Sequence, residues 1–134
     1  MVVFLKKYLG ALYIPLLWTF IVGTLCCLPG NMLPNETHFA IPNFDKVVHA
    51  TFFGGFVFLW CLYEAKRIED TERLVKLFFM FYALGSGYGI ATEFAQKYWI
   101  PGRDYDNVDI IADLIGAGLG YGLSHVLFIK NKPL

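Results

Sequence analysis

Charged side chains are scarce in this sequence, and the two signs are balanced. Only 16% of the 134 residues are charged, with 11 Lys and Arg against 11 Asp and Glu, whereas a soluble domain usually carries roughly a quarter. The formal net charge of zero gives no reason to expect a nucleic-acid partner. Hydrophobic residues make up 57% of the chain, and the mean hydropathy is +0.52. This composition excludes an ordinary soluble domain and predicts an integral membrane protein.

Cysteine is also sparse. Cys26, Cys27 and Cys61 lie in or at the ends of apolar runs, and they show neither metal-ligand spacing nor a disulfide framework. We expect them to act as small apolar packing residues. No serine or cysteine is paired locally with a base, so the sequence gives no support for acyl-enzyme chemistry.

Long apolar runs dominate what remains, and they predict membrane spans at 8–28, 47–63, 74–95 and 108–129. The first run is long enough to cross a hydrocarbon core of roughly 30 Å. Its alternative, a cleaved signal peptide, is disfavoured because Thr24 to Cys27 form no small-x-small cleavage site. Pro15 is expected to kink this helix. We therefore predict one all-α domain over 1–134, an integral membrane bundle of four transmembrane helices.

The connections between the runs carry turn and cap signals. Residues 29–43 are rich in Pro, Gly and Asn and predict a loop, with Asn43 as a helix N-cap. Asp70 or Thr71 is expected to cap the third span, and residues 97–107 form a polar loop before the fourth. Residues 130–134 form a basic tail.

The basic residues favour one orientation. Eight lie in the head, the middle connection and the tail, and three lie in the other two loops. The positive-inside rule therefore places both termini in the cytoplasm. The eight are Lys6, Lys7, Lys66, Arg67, Arg73, Lys76, Lys130 and Lys132, against Lys46, Lys97 and Arg103.

Glycines four residues apart predict close helix contacts. The pairs are Gly85/Gly89 in the third span and Gly116/Gly120 and Gly118/Gly122 in the fourth. Small faces of this kind let helix backbones approach each other in lipid. They predict either tight packing within one bundle or a homo-oligomer formed through the glycine faces.

Polar residues collect at the predicted outer face, at the start of spans two and four and the end of span three. Glu93 is poorly placed for a structural role, because the dipole at a helix C-terminus opposes an acid. Asp113 lies too deep for a helix cap, so it either takes a proton or needs a partner such as Arg103 or a cation. Asp106 and Asp45 have a simpler explanation as a cap and a first-turn acid. The set is Asp45, Lys46, His49, Glu93, Gln96, Arg103, Asp106, Asp109 and Asp113.

Three chemistries fit these residue types. Lys46, His49 and Arg103 could hold a phosphate. A divalent metal could be held by His49, Glu93, Asp109 and Asp113, although no compact metal motif is present. A buried acid beside a histidine could perform acid–base catalysis, with Glu93, His49 and Asp109 as the candidate catalytic residues. Ion pairs that only hold the bundle together, with His49 as a core histidine, remain the structural alternative.

Three separated motifs resemble the VanZ-like family of small bacterial integral membrane proteins. They are DKVVHATFFGGF from Asp45, E-x-x-Q from Glu93, and PGRDYDNVDIIADLIGAGLG from Pro101. The resemblance implies a four-span protein of the bacterial cytoplasmic (inner) membrane. Asp113 departs from it, because the family usually has asparagine there. The founding member is associated with lowered susceptibility to teicoplanin, but the resemblance implies no defined reaction or cofactor. The positions it carries over are Asp45, Lys46, His49, Glu93, Gln96, Arg103, Asp106, Asp109 and Gly116.

Three functional hypotheses follow. The first is an outward-facing polar pocket that binds or modifies an anionic envelope lipid or lipid-linked glycan. The second is a metal-dependent membrane hydrolase, and the third is a non-catalytic membrane partner protein. A transporter is disfavoured, because four short-looped helices in a monomer leave little room for a gated path. The candidate ligand-binding residues are Asp45, Lys46, His49, Gln96, Arg103, Asp106 and Asp113.

Overall fold

A computed structural model describes residues 1–32 and 43–130 of the chain, and the regular structure of these residues is entirely helical. A short 3-10 turn, Gly30–Met32, follows the second helix, and a single π-helical turn, Val126–Lys130, continues the last one. The α-helices are α1 (Val2–Leu9), α2 (Tyr13–Cys26), α3 (Phe44–Arg67), α4 (Thr71–Trp99) and α5 (Asn107–His125).

Three helices are long and apolar enough to cross a membrane: α3, α4, and α5 together with its π-turn. They have 24, 29 and 24 residues, which corresponds to about 36, 43 and 36 Å at 1.5 Å per residue. A fourth crossing exists if α1 and α2 are counted as one broken span. The predicted spans 47–63, 74–95 and 108–129 all lie inside these helices, which extend a few residues further at each end.

The predicted first span over 8–28, with its expected kink at Pro15, is a broken pair of helices in the structure, and a membrane crossing by this pair remains a prediction. The chain bends by 74° between α1 and α2, and the bend lies at Gly10 to Leu12 rather than at Pro15. Gly10 has no side chain, and a Cβ there would lie 2.7 Å from the Lys66 side chain, so this glycine lets α1 approach α3. Pro15 is the third residue of α2, where its missing N–H costs nothing because the first turn has no acceptors for it.

The helix starts follow local side-chain chemistry. Asp70 accepts hydrogen bonds from the backbone N–H groups of Glu72 and Arg73, at 2.9 and 3.3 Å, which confirms it as the cap of α4. Asp106 likewise caps α5 through the N–H of Val108 at 2.8 Å. Asn43 occupies the N-cap position of α3 with a left-handed φ of 56°, but its side chain makes no cap hydrogen bond. Most of the predicted 29–43 loop, and the tail after Lys130, lie outside the described residues.

Glycines bring α3 and α5 into backbone contact. A Cβ on Gly54 would lie 2.9 Å from the Gly116 carbonyl oxygen, and Cβ atoms on Gly116 and Gly120 would collide with the carbonyls of Ala50 and Gly54. The predicted Gly116/Gly120 face is therefore used inside the bundle. Gly118 and Gly122 have no such neighbour within 4 Å. Their face is open, and a homo-oligomer through it remains a prediction.

The two ends of the bundle differ in polarity, because apolar side chains fill one end and polar side chains collect at the other. Phe78, Leu62 and Phe128 pack near α1, where the Lys6 ammonium lies 5.9 Å from the Phe128 ring centroid. The Trp18 indole donates to the Phe52 carbonyl at 2.9 Å and holds α2 against α3. At the opposite end, the start of α3, the end of α4 and the start of α5 come together.

Candidate functional site

Seven charged or titratable side chains meet where these three helix ends converge, and we call them the polar cluster. α3 and α5 each supply residues three or four positions apart, which share a face of the helix, and α4 supplies one residue. Four of them, on three different helices, are buried. The polar cluster comprises Asp45, Lys46 and His49 from α3, Glu93 from α4, and Asp106, Asp109 and Asp113 at the start of α5.

Lys46 is held by three carboxylates. Its Nζ lies 2.7 Å from Asp45 Oδ2, 2.5 Å from Asp106 Oδ2 and 2.5 Å from Asp109 Oδ1. These contacts occupy the three donors of the ammonium. The hydrogen bond from Lys46 also lowers the pKa of Asp106, which lies in the loop just before α5, and the Val108 N–H adds to this effect. An incoming anion would have to displace one of these carboxylates from Lys46.

His49 is oriented by Asp113. The Nδ1 atom of the imidazole lies 2.9 Å from Asp113 Oδ1, and Nε2 lies 4.0 Å from Asp109 Oδ2. With the proton on Nδ1 and donated to Asp113, Nε2 presents a lone pair towards Asp109. Gly89 of α4 packs against Asp113, and a Cβ at this position would lie only 2.8 Å from the Asp113 Cβ. The close contact between α4 and Asp113 therefore requires glycine. The partner that the sequence demanded for Asp113 is therefore His49 and not Arg103.

Glu93 is fully buried and incompletely paired. Its Oε2 accepts from the backbone N–H of Asp106 at 3.2 Å, but Oε1 has no hydrogen-bond partner among the described residues. Asp113 Oδ2 is in the same condition. Leaving a buried acceptor without a donor costs about 1–3 kcal/mol, and more for a charged group. The cluster therefore contains more acceptor capacity than the surrounding chain satisfies.

His49, Glu93 and Asp109 form a compact set of donor atoms within the polar cluster. All three residues are buried, and one nitrogen or carboxylate oxygen from each lies within 4.8 Å of the others. The sequence placed these residues at one membrane face but showed no compact motif. The set appears only when three helices are brought together, because each helix contributes a single member.

Two predicted site residues lie outside this arrangement. Gln96 is buried, and its amide donates to the Cys26 carbonyl at 2.9 Å, so it ties α4 to α2. Arg103 is half-buried in the turn between α4 and α5. In the part of the chain that the structure describes, it makes no hydrogen bond or ion pair with a cluster carboxylate. No contact among the described residues links Arg103 to Lys46 or His49, so the anion-binding trio of Lys46, His49 and Arg103 stays a prediction.

An apolar groove between α2 and α4 was missed by the sequence analysis. It has a volume of about 710 Å³ and is lined by Phe20, Gly23, Tyr88, Thr92 and Trp99, among others. The Tyr88 hydroxyl donates to the Thr19 carbonyl across it at 3.0 Å. Thr92 immediately precedes Glu93, so the groove and the polar cluster lie on adjacent faces of α4. A groove between α2 and α4 depends on how the two helices pack, and the hydrophobic pattern of neither helix alone predicts it.

No protein-family model, no curated protein and no solved structure matches this chain. The VanZ-like resemblance accordingly remains a prediction based on its three motifs. A function for the chain has to be argued from the polar cluster itself.

Proposed function

We propose that the chain is a membrane-spanning helical bundle whose polar cluster binds or modifies the head group of an anionic envelope lipid or lipid-linked glycan. The observation that carries this proposal is a pair of buried carboxylate oxygens, Glu93 Oε1 and Asp113 Oδ2, that have no hydrogen-bond partner within residues 1–32 and 43–130. A buried polar group in a folded protein is normally hydrogen-bonded, so each unpaired one requires an explanation. A ligand that supplies the missing donors or charge provides it.

The same observation argues against a cluster that serves only as a stabilising ion-pair network. A closed ion-pair network repays its desolvation cost only when its lone pairs are satisfied. Here the five carboxylates of the polar cluster face a single lysine. Asp45, Asp106 and Asp109 share Lys46, while Glu93 has only one backbone donor. This imbalance supports a binding site over a purely stabilising network.

A lipid or lipid-linked glycan fits the position of the cluster. The residues lie at the ends of three helices that could cross a membrane, and such a crossing would put them where head groups meet hydrocarbon. Glycan hydroxyl groups are hydrogen-bond donors, and ionised carboxylates accept hydrogen bonds on both oxygens. Glu93 is fully buried, so the head group would approach from Asp45 and Asp106, whose side chains are 36% and 41% exposed. The negative charge of the head group would be balanced by a cation at the cluster, because Lys46 is already committed.

The cluster would face outward from the bacterial cytoplasmic membrane, with both termini in the cytoplasm. The support is the distribution of Lys and Arg. Lys6, Lys66, Arg67 and Lys130 lie at the apolar end near α1, opposite the cluster, and basic residues favour the cytoplasmic side.

A topology reporter tests this orientation. We expect alkaline phosphatase fused after Lys130 to be inactive and a green fluorescent protein fused there to be bright, because the former needs an oxidising compartment. The reverse pattern would turn the cluster towards the cytoplasm and exclude an outer-face ligand. Fusions after Ile68, in the connection between α3 and α4, should report the same side as those after Lys130.

The substitution Glu93→Gln distinguishes a ligand-binding site from a purely stabilising ion-pair network. The amide keeps an acceptor for the Asp106 N–H but removes a buried charge, so we expect the unfolding temperature of the delipidated, EDTA-treated variant in detergent to equal or exceed that of wild type treated in the same way. Native mass spectrometry of protein purified in native lipid should show a retained lipid or glycolipid in wild type. That mass should be lost in Glu93→Gln and in His49→Ala.

Glu72→Gln is the matched control, because Glu72 is 79% exposed and pairs only with Lys76. It should retain the bound mass. The proposal is wrong if Glu93→Gln lowers the unfolding temperature by many degrees while wild type and variant carry the same bound molecules, or if wild type carries none.

A further inference from the structure

We propose that the polar cluster is a site for one divalent transition-metal ion, held by His49 Nε2, one Glu93 carboxylate oxygen and Asp109 Oδ2. The inference deepens the proposed function and rests on it for what the ion would do, namely receive the anionic head group. Whether the ion binds is a question of the cluster geometry alone.

The distances allow three ligands to reach one ion. Because one donor atom from each of the three residues lies within 4.8 Å of the others, a point exists no further than about 2.8 Å from all three. Zinc is bound at about 2.0–2.2 Å by imidazole nitrogen and carboxylate oxygen. Each donor therefore has to move by less than about 1 Å, which side-chain torsions of His, Glu and Asp provide without a change in the helices.

The unpaired oxygen of Glu93 is the second, independent sign of a ligand. Glu93 is 0% exposed, and Oε1 has no hydrogen-bond partner among the described residues. Because Glu93 belongs to the donor set, an ion bound through Oε1 would satisfy this oxygen directly. A carboxylate held only by protein packing would gain nothing from being buried here and would lose its hydration.

Outer contacts orient two of the three ligands. Asp113 holds Nδ1 of His49, which leaves Nε2 for the ion, and this is the carboxylate–histidine arrangement that typically supports metal-bound imidazole. Lys46 holds Asp109 by Oδ1 at 2.5 Å and leaves Oδ2 on the side of His49 Nε2, 4.0 Å away. Asp113 and Lys46 are positioning residues for this site and not ligands.

Charge favours a cation over a direct anion contact. Five carboxylates and one lysine leave an excess of four negative charges when His49 is neutral, and a divalent ion halves that excess. One imidazole with two carboxylates suits Zn²⁺ or Mn²⁺ better than Ca²⁺ or Mg²⁺, which take oxygen ligands. Three protein ligands leave a coordination position open, and a head-group phosphate oxygen would fit it.

The test is metal titration of the intact chain in detergent after stripping with EDTA. We expect wild type to bind one Zn²⁺ per chain by calorimetry and elemental analysis and to unfold at a higher temperature with the ion than without it. His49→Gln and Glu93→Gln should each weaken binding by at least about 100-fold, whereas Glu72→Gln should not change it. Mn²⁺ is the second probe.

Asp113→Asn tests the positioning role. Asparagine can still accept from His49 Nδ1, so the metal-free protein should unfold at a similar temperature. Loss of the charge should weaken Zn²⁺ binding about 10- to 100-fold and alter the visible absorption of the Co²⁺-substituted protein. An unchanged affinity and spectrum would remove Asp113 from the site.

Absence of saturable Zn²⁺ or Mn²⁺ binding by wild type would overturn the metal site, as would binding that survives both His49→Gln and Glu93→Gln. The two proposals fail separately. Stoichiometric metal without a retained lipid in native mass spectra would leave the ion in place and refute the lipid-binding function. A retained lipid that Glu93→Gln removes, without any metal, would do the opposite.

Discussion

Gly116→Ala should lower the stability of the bundle by about 1–3 kcal/mol, the usual cost of overpacking a tight interface. The added methyl group would collide with the backbone of Ala50 on α3. A carbonyl cannot move aside as a flexible side chain does, so α3 and α5 would have to separate. The expected readout is a thermal unfolding temperature in detergent several degrees below wild type.

Gly118→Ala is the matched control on the same helix. No atom outside its own helix backbone and neighbours lies within 4 Å of the position of its Cβ, and alanine is favoured over glycine in a helix interior by roughly 1 kcal/mol. We therefore expect this variant to be as stable as wild type or slightly more stable. Equal losses from both substitutions would contradict the close α3–α5 contact. A change of oligomeric state in Gly118→Ala alone would instead identify the open glycine face as an interface between copies.

Lys46→Met should be the most damaging single substitution in the polar cluster, costing roughly 3–5 kcal/mol at neutral pH. It removes the cation that Asp45, Asp106 and Asp109 share, while methionine keeps much of the side-chain volume. The Lys46 side chain is 20% exposed, so its ion pairs are intermediate between surface and fully buried ones. We therefore expect a loss of stability in the lower half of this range. Thermal unfolding and chemical denaturation in detergent measure the loss.

The loss of stability caused by Lys46→Met should be smaller at acidic pH. In the wild-type protein Lys46 lowers the pKa of Asp106, so this part of the stability is present above the unfolded carboxyl pKa of about 3.9 and is lost as the pH falls through the lower folded value. The difference between wild type and Lys46→Met should accordingly shrink below about pH 4. Lys76→Met is the control, since the exposed Lys76–Glu72 pair should contribute less than about 0.5 kcal/mol. Similar losses from both lysine substitutions would contradict the role of Lys46.

The three long helices α3, α4 and α5 were predictable because their signals are local. Apolar runs located α3, α4 and α5 to within a few residues, and the caps at Asp70 and Asp106 follow from side-chain chemistry that acts over two or three residues. The break at Gly10 was not predictable in the same way. A Cβ at Gly10 would meet both the Lys6 carbonyl of the same helix and the flexible Lys66 side chain, and the second contact, more than fifty positions away, has no signal in the local sequence.

The members of the polar cluster could be named from the sequence, but their pairing could not. Helical spacing shows that Asp109 and Asp113 share a face of α5. It does not show which face of α3 meets them, because the contact between Gly54 and Gly116 sets that register. Asp113 was therefore assigned to Arg103 or a cation, and the His49 contact appeared only in the assembled bundle. For the same reason, the sequence did not predict that three carboxylates surround Lys46.

In the proposed membrane-spanning bundle, the short second helix would leave a hydrophobic mismatch with the surrounding bilayer. α2 has 14 residues and so covers about 21 Å, against a hydrocarbon thickness of roughly 30 Å, and α1 bends away by 74° rather than extending it. A bilayer relieves such a mismatch by thinning locally, at a cost of fractions of a kcal/mol per Å. Lipids beside α2 would then carry their head groups deeper than lipids beside α4. The cluster end of the bundle, where Cys26 of α2 meets Gln96, would lie nearer to those head groups than the lengths of its other helices imply.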